Sequence, residues 1–378
     1  MCSSGNCLFG SGASGPLNVT SATSINAIRA VATATAGSMT VTISGATGSF
    51  AAGQAVLIHQ TQAIAAPVGQ YEYARVVSAT ATSVVLTAGL RYSYVSDASH
   101  RAQIIVVPEY TTVSVSAGQT LTAAAWNGST GGILAFNATG AVTVTGTISM
   151  DGRGFRGTRH GACGLHCTAG QAGESQRAIG AVTMGSNGSG GGGGSPGQDC
   201  SAGGGGGHAG AGADGTDGSC GLCTVACPSA GGNGGNAVGS AILSSTILFG
   251  GAGGEGGHDE DGGNAGTGGT GGGIVIIRAN SVSVTGAITS AGTAGGRGDN
   301  VGCGVGAGMG GAGGGAGGAV RIQTLGTAAV GSGLVRAGGG GGGLCSSGGS
   351  PGGAGSVGRI GIRASTVTGT TTPTFNPN

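Results

Sequence analysis

Residues 250 to 279 read GGAGGEGGHDEDGGNAGTGGTGGGIVIIRA. A long run with almost no side chain to bury leads directly into IVII, a short apolar segment of the kind that forms buried strands. Such a tract is either a flexible linker that ends at a strand or a structural element made of glycine backbone. The rest of the sequence favours the second interpretation.

The overall composition argues against a disordered chain. The 378 residues include 94 glycines and 8 prolines, a content at which low-complexity disorder has to be considered. Disordered chains are usually highly charged and poor in apolar residues, because they cannot offset conformational entropy by burial. Here only 7% of the residues are charged, 38% are hydrophobic and the net charge is +1. We therefore expect most of the chain to be ordered.

Charge and hydropathy also exclude two classes of partner. The chain contains no lysine, and its 14 basic residues are arginines scattered from Arg29 to Arg363 without a run. A nucleic-acid or anionic-membrane surface would need a basic patch, so neither partner is predicted. No apolar stretch approaches the ~18 residues of a membrane-spanning helix.

Strand-like alternation dominates residues 38–126, in segments such as MTVTISG, QAVLIHQ and YEYARVV separated by Gly, Ser and Asp turns. This pattern predicts a small β-barrel or β-sandwich module. Residues 1–37 before it are predicted to form an extended N-terminal segment. Helical spacing can be found only in SATSINAIRAVATA, residues 21–34.

A repeat begins at residue 131 and recurs at 272, 317 and 358. Each copy has a glycine pair, a short β-branched strand, a turn and a second alternating strand, as in GGIVIIRANSVSVTGAITSAG. Repetition of this kind is typical of stacked units in which neighbours supply each other's core. Residues 127–378 are thus predicted to form one strand-repeat and glycine-rich domain, whose most glycine-rich insert is 157–238.

The glycine tracts often place a non-glycine residue at every third position, as in GGAGGEGG and GGNGGN. Three residues per turn is the period of the polyproline II helix, which has no internal hydrogen bonds and must bond sideways. We therefore predict an all-β fold: a small N-terminal β module followed by a β-solenoid-like strand repeat interleaved with glycine-rich polyproline II (polyglycine II) helices. A flexible glycine linker is the alternative.

Ten cysteines, an even number, lie mostly beside the glycine tracts, and they are predicted to form disulfides in an oxidising compartment. They are Cys2, Cys7, Cys163, Cys167, Cys200, Cys220, Cys223, Cys227, Cys303 and Cys345. The segment HGACGLHC, residues 160–167, offers zinc-ligand types as a weaker alternative. Whether the acidic cluster HDED at 258–261 binds calcium stays open. No metal or cofactor site is predicted.

All the tyrosines and the single tryptophan lie between residues 71 and 126: Tyr71, Tyr73, Tyr92, Tyr94, Tyr110 and Trp126. Residues two apart on a strand share a face, so Tyr71 with Tyr73 and Tyr92 with Tyr94 could form, together with Trp126, a ligand platform. Cross-strand packing inside a hairpin is the competing interpretation.

Several segments carry a resemblance to a known group of proteins. They are AAGQAVLIHQTQ (51–62), AQIIVVPEYTTVSVSAG (102–118) and WNGSTGGILAFNATGAVTVTGTISMDGRGFRG (126–157). Over residues 38–157 the chain resembles glycine-rich secreted proteins of myxobacteria and related bacteria, some of them labelled gliding-motility or adhesin-like. More loosely, it resembles the glycine-rod layers of phage tail-tip adhesins and of one animal receptor ectodomain. The resemblance implies an extracellular structural or adhesive role and supplies no catalytic residues.

These observations predict a secreted structural protein of the cell surface, most simply a self-assembling extracellular filament or matrix subunit. The alternative is an adhesin or glycan-binding surface module. A β-solenoid enzyme acting on polysaccharides is the third possibility, with Asp151, Asp199, Asp214 and Asp217 as candidate carboxylates. The prediction is that the protein is not an enzyme, lies outside the cell and associates with itself or with surface glycans or proteins. Its start, MCSSGNCLFGSG, lacks a signal-peptide pattern, so we expect any such peptide to precede this sequence.

Overall fold

The computed structural model describes residues 9–64, 67–158, 169–177, 185–194, 198–199, 201–220, 230–258, 265–298, 310–345 and 351–378. This part of the chain is all-β. Its strands are β1 (Leu17–Val19), β2 (Thr23–Ile25), β3 (Arg29–Thr33), β4 (Thr40–Ser44), β5 (Ala55–Ala63), β6 (Tyr71–Ala79), β7 (Ser83–Leu86), β8 (His100–Val107), β9 (Glu109–Tyr110), β10 (Val113–Val115), β11 (Thr120–Ala123), β12 (Ile133–Val144), β13 (Thr147–Ser149), β14 (Gln198–Asp199), β15 (Ser219–Cys220), β16 (Ile274–Val284), β17 (Ala287–Thr289), β18 (Ala319–Thr324), β19 (Thr327–Arg336), β20 (Arg359–Arg363), β21 (Thr366–Thr372) and β22 (Asn376–Pro377). No helix in these ranges is long and apolar enough to cross a membrane.

Six antiparallel strands close into a barrel in the order β3-β4-β7-β6-β5-β8. The alternation of β4, TVTIS, buries Val41 and Ile43 and exposes the residues between them. Val41, Ile58, Leu86 and Ile104 meet in a fully or almost fully buried interior. Closure pairs every barrel strand on both sides, which removes the free edges that promote aggregation.

A second architecture, a 14-stranded sheet with parallel pairing, contains the sequence repeats. The first strands of the four repeats lie side by side, because Ile133 pairs with Ile274, Ile274 with Ala319, and Ala319 with Arg359. The long strands β12, β16 and β19 each pair with different neighbours along their length, and β21 follows β19, so the sheet bends into three faces. These faces enclose one apolar core, which makes this region solenoid-like.

The three faces are named here by their strands. The first face contains β9, the first half of β12 and β16, β18, β20 and β22. The second face contains β1, β10, the second half of β12 and β16, and the first half of β19 and β21. The third face contains β2, β11, β13, β17 and the ends of β19 and β21.

The strands are not divided as the predicted boundaries 1–37 and 38–126 would divide them. β1 and β2 join the parallel sheet, β3 already belongs to the barrel, and β10 and β11 return to the parallel sheet. The barrel therefore lies between two turns of the solenoid-like region. The helical spacing at residues 21–34 is also misleading, since these residues form β2 and β3. Their partners are distant in sequence, and pairing with them outweighs the local pattern.

Backbone hydrogen bonds hold the glycine tracts together. In the tract 250–258, Gly251, Gly254 and Gly257 donate to the tract 201–207, whereas Gly250, Gly253 and Gly256 donate to the tract 266–272. Ala252 and Glu255 donate to a third tract, at Glu174 and Gln171. Each third residue thus faces the same neighbour. Glycine is therefore a structural element in this tract and not a flexible linker.

The tracts approach too closely for any side chain at the contact points. A Cβ atom on Gly253 would lie 1.9 Å from the carbonyl oxygen of Gly313. A Cβ atom on Gly313 would in turn lie 1.9 Å from the carbonyl oxygen of Gly204. Glycine is required at such positions because only a residue without Cβ lets two backbones come this near.

The outer face of the barrel packs against the first face of the parallel sheet. Leu57 of β5, Tyr71 of β6 and Ile105 of β8 contact an apolar patch that includes Ile274 and Ile276 of β16. Side-chain burial therefore joins the barrel to the sheet, although hydrogen bonds dominate within the glycine tracts.

Candidate ligand site where the barrel meets the parallel sheet

Polar residues replace the apolar ones toward the end of the first face, where they form a row across five strands. Asn137 pairs in register with Glu109 and Arg278, Arg278 with Gln323, and Gln323 with Arg363. Neighbouring strands are ~4.8 Å apart, so four steps along this polar row cover about 19 Å. The row runs from buried Glu109 to exposed Arg363.

Strand β6 of the barrel contributes the facing side chains, because alternate residues point to one side. The Arg278 guanidinium lies over the Tyr73 ring, with Cζ 4.4 Å from the ring centroid. Arg321 Nη1 donates to Tyr71 Oη at 2.6 Å. Tyr71 Oη donates to the carbonyl oxygen of Leu243 at 2.7 Å. We call Tyr71, Tyr73, Arg278 and Arg321 the arginine–tyrosine cluster.

Burial raises the pKa of both tyrosine hydroxyls in this cluster, which keeps them protonated at neutral pH. Arg321 and Arg278 act in the opposite direction on the pKa of Tyr71 without overcoming the effect of burial. The tyrosines are therefore neutral hydrogen-bonding groups beside two cations.

Four polar atoms around the cluster have no hydrogen-bond partner among the described residues. They are Tyr73 Oη, Asn137 Oδ1, Arg278 Nε and Arg321 Nε. Asn137 is only 3% exposed. Buried polar atoms in folded proteins are nearly always paired, so a concentration of unpaired ones calls for an explanation. A bound polar ligand or ordered water would satisfy them.

Glu109 anchors the buried end of the polar row. Its Oε1 accepts a hydrogen bond from Arg75 Nη2 at 2.7 Å and its Oε2 one from Arg75 Nη1 at 3.0 Å, while Ser11 Oγ donates to Oε2 at 2.7 Å. Burial alone would raise the pKa of Glu109, but the hydrogen bonds from Arg75 and Ser11 outweigh burial and hold that pKa below its usual range. A cleft of about 490 Å³, which Glu109 helps to line, opens beside this pair.

The net charge of the region is positive. Arg75, Arg278, Arg321 and Arg363 face it, and Glu109 is the carboxylate in the row. Among the described ion pairs, Arg75 pairs with Glu109, whereas Arg278, Arg321 and Arg363 have no carboxylate partner. An arginine fork binds carboxylate oxygens in a bidentate manner, so this arrangement favours an anionic or strongly hydrogen-bonding ligand.

The five aromatic residues of the predicted ligand platform do not lie together on an exposed surface. Tyr94 is fully buried in the barrel, where its hydroxyl donates to Glu72 Oε1 at 3.2 Å. Trp126 is buried against Phe249, with ring centroids 5.7 Å apart, and its Nε1 donates to Glu174 Oε1 at 3.1 Å. Tyr92 lies under Arg91 on another side of the barrel. Only Tyr71 and Tyr73 reach the arginine–tyrosine cluster, so packing accounts for the other three.

Of the ten predicted disulfide cysteines, Cys345 has a described side chain. It is fully buried and forms a disulfide. Cys2, Cys7, Cys163, Cys167, Cys200, Cys223, Cys227 and Cys303 lie outside the described residues, as does the side chain of Cys220. The zinc alternative at 160–167 falls outside them too. Among the residues that the structure describes, no group of three or more His, Cys, Asp or Glu side chains is placed to hold a metal ion.

The candidate carboxylates of the enzyme hypothesis bind backbone or hydroxyl groups. Asp151 accepts hydrogen bonds from Thr289 Oγ1 at 2.7 Å and from the Ala291 amide at 2.6 Å. Asp214 and Asp217 accept from the amides of Gly234 and Gly231 at 2.7 and 2.9 Å. The side chain of Asp199 lies outside the described residues, and so do residues 259–261 of the acidic cluster.

Sequence reasoning missed the arginines and Asn137 of this site. Arg278, Arg321 and Arg363 are scattered in the chain and resemble ordinary surface charges. The repeats carried a usable signal, because aligning their first strands places Asn137, Arg278, Gln323 and Arg363 in one column. In β12 and β16 that column marks the point where the outward residues change from apolar to polar, whereas Arg321 and Arg359 already precede it on β18 and β20.

No protein-family model and no curated protein matches the chain. Two solved phage tailspikes are similar to it over 94% of its length. One is the Gp54 tailspike of Acinetobacter baumannii bacteriophage AP22 in complex with A. baumannii capsular saccharide, with 9% identity and a TM-score of 0.21. The other is the tailspike protein gp49 from Pseudomonas phage LKA1, with 11% identity and a TM-score of 0.19. The chain spans 46% and 63% of these two proteins' lengths.

This comparison corrects one expectation from the sequence. The prediction that the protein is not an enzyme was based on the absence of catalytic motifs. It is contradicted by the likeness to tailspikes, one of which was solved with a capsular saccharide.

Proposed function

We propose that the protein is an extracellular, glycan-binding surface module that binds acidic polysaccharide along the polar row. The observation that carries the proposal is the set of polar atoms at Tyr73, Asn137, Arg278 and Arg321 that have no hydrogen-bond partner among the described residues, beside arginines that form no described ion pair with a carboxylate. Sugar hydroxyls would satisfy the asparagine oxygen and the tyrosine hydroxyl. A sugar carboxylate would pair with an arginine fork.

The shape of the row supports a polymer rather than a small ligand. Its length of about 19 Å, set by the strand spacing, exceeds that of a single sugar. The exposed end at Arg363 allows a chain to continue beyond the site. Arginine and tyrosine together also provide planar surfaces for stacking.

An extracellular location is supported by the disulfide of Cys345, because disulfides persist mainly in oxidising compartments. The proposal also includes polyglycine II helices in the glycine tracts. It is supported by hydrogen bonds that turn to a new neighbouring tract at each successive residue of 250–258. Such tracts would make a rigid support for a surface module. The predicted self-assembling filament stays a prediction.

The test measures binding of the full chain to an acidic polysaccharide that contains uronic acid and to its neutral counterpart. Arg278→Gln and Arg363→Gln should each weaken binding to the acidic polymer about tenfold, as expected for one charge-assisted contact. Arg91→Gln is the matched control, because Arg91 also lies over a tyrosine, 5.1 Å from the Tyr92 centroid, but outside the row. Equal binding of acidic and neutral polymers, or unchanged binding by both variants, would contradict the proposal.

The same samples should be assayed for newly formed reducing ends. If the wild-type chain forms new reducing ends and Arg278→Gln forms fewer, the proposed binding function would extend to cleavage of the bound polymer. Unfolding midpoints of the variants, measured in parallel, separate a lost contact from a lost fold.

A further inference from the structure

The parallel sheet ends in two open edges, one at each end of the solenoid-like region. The first edge consists of β1 on the second face and β2 on the third face, which pair with β10 and β11. The second edge is β21, which runs along both of these faces and pairs with β19. Among the described residues, no strand pairs with the outer side of either edge.

Main-chain groups of both edges point away from the sheet. In β1, the amide of Leu17 and the carbonyl of Val19 bond toward the β10 side. Alternate residues of a parallel strand turn to opposite neighbours, so the amide and carbonyl of Asn18 face outward. In β21, the carbonyl of Thr372 accepts a hydrogen bond from the Ala337 amide at 2.9 Å, so the alternate groups of this strand face outward as well. Open edges of this kind are templates for pairing with another chain.

The apolar core is incompletely covered at the same two edges. An inward column on the second face crosses six strands, at Leu17, Val113, Val142, Val282, Ala328 and Val367. The four inner members are 2% exposed or less, whereas Leu17 and Val367 at the two ends are only half-buried. The corresponding column on the third face begins at Thr23 and ends at Thr371, which are both small β-branched residues.

The two edges match each other. The strands of these faces are parallel, and both edges bend at the corner between the second and third faces. A second copy stacked in register would place Val367 against Leu17 and Thr371 against Thr23, at the strand spacing of about 4.8 Å. This contact would continue the parallel ladder that already joins the four repeats. Neither edge segment, 17–25 or 366–372, contains a charged residue that would oppose pairing.

We propose that two copies of the chain pair head to tail, with β21 of one copy added to β1 and β2 of the next. The contact joins two different surfaces, so each pairing leaves one edge open at either end and can extend to a stack. A second copy fits these edges better than an unrelated extended peptide, because it supplies both the bend at the corner and the apolar end of the column. The interface lies outside the polar row, and its test needs no polysaccharide.

The test measures the sedimentation coefficient of the full chain over a range of concentrations. The wild-type value should rise with concentration beyond that of a dimer. Asn18→Pro removes an outward amide hydrogen, and proline is tolerated on edge strands. This variant should associate at least about tenfold more weakly. Asn18→Ala keeps the amide, so it is the matched control and should associate like the wild type.

A pair of charge variants tests the register of the contact. Asn18 and Thr368 are exposed and belong to one outward row, so stacked copies would bring them side by side. Within one chain they are five strand steps apart, about 24 Å, which is well beyond the screening length at physiological salt. The variant with Asn18→Lys and Thr368→Lys should associate about fivefold more weakly than the variant with Asn18→Lys and Thr368→Glu.

A wild-type chain that stays monomeric at every concentration would overturn the proposal, and so would equal association of the two charge variants. Association that stops at a dimer would also overturn it, because a head-to-tail contact leaves an edge open. Unfolding midpoints show whether each variant is folded. If Asn18→Pro does not fold, the charge variants decide, since both of their positions are exposed.

Discussion

The barrel is filled by side chains, whereas the glycine tracts are joined by their backbones. In the barrel, residues such as Ile58 and Ile104 exclude water, and hydrogen bonds follow the antiparallel ladders. In the tracts, each backbone bonds to several others and almost no apolar side chain lies between them. The two regions should therefore respond oppositely to mutation. The barrel is sensitive to the loss of atoms, and the glycine tracts are sensitive to their addition.

The largest effect is expected for Gly253→Ala. The new methyl group would lie 1.9 Å from the carbonyl oxygen of Gly313, and both backbones are held by other hydrogen bonds. We expect the free energy of unfolding to fall by about 4 kcal/mol or more, at the upper end for overpacking. Amide exchange in residues 250–258 should accelerate most.

Gly341→Ala is the control for this prediction, because a Cβ atom there would have no other atom within 4 Å. This substitution should leave the free energy of unfolding unchanged or raise it by about 0.4 to 1 kcal/mol, because alanine lowers the conformational entropy of the unfolded chain. Equal effects of the two substitutions would contradict tight backbone packing.

Ile58→Ala tests the opposite sensitivity in the barrel. Ile58 is fully buried. Its truncation should lower the free energy of unfolding by about 2 to 5 kcal/mol, because it removes apolar atoms from the core and leaves a cavity. Val77→Ala, on an exposed residue of β6, should change stability by no more than about 0.5 kcal/mol. Chemical denaturation monitored at tyrosine and tryptophan would measure both, and comparable effects would argue against a side-chain core.

A buried, neutral histidine in each region allows a comparison by pH. Burial lowers the pKa of His59 in the barrel to about 4, although its hydrogen bond with the Ile247 carbonyl opposes the shift. Burial likewise lowers the pKa of His208, which contacts the Gly317 carbonyl in the glycine tracts, to about 4.

The unfolded chain binds protons at these histidines below about pH 6.5, but the folded protein does not until about pH 4. Stability should thus be full above pH 6.5 and fall progressively toward pH 4, by on the order of 3 kcal/mol per histidine. Unfolding midpoints at several pH values would show this slope. It should be reduced in His59→Gln and in His208→Gln.

The smallest effect is expected at the junction of the two regions. Glu174 accepts hydrogen bonds from Arg156 and from Trp126 Nε1, so it ties a glycine tract to aromatic packing. Glu174→Gln removes the negative charge and turns an amide NH₂ group toward the N–H donors of Arg156 and Trp126. This change should lower the free energy of unfolding by about 2 kcal/mol. If exchange then accelerates only near Glu174, the regions unfold separately; acceleration throughout would show that they unfold as one unit.

Particular elements show how far the sequence could be interpreted. The repeats at 131, 272, 317 and 358 predicted neighbouring strands, because alternation and β-branching are local properties of a half-buried strand. The aromatic residues illustrate the limit. Tyr71 and Tyr94 have similar strand contexts, yet one lies beside Arg321 and the other lies inside the barrel. Which face of a strand meets which neighbour depends on closure and twist, and neither is visible in a local pattern.

The sequence by itself determined that the chain is all-β, that its strands repeat and that its glycines are too regular for a linker. These properties follow from residue periodicity and from what each side chain can bury. Tertiary structure alone decided that the barrel lies between two turns of the parallel sheet and that Asn137, Arg278, Gln323 and Arg363 form one row. Such juxtapositions arise from pairing between strands far apart in the chain, and the energy of that pairing is not encoded in any single segment.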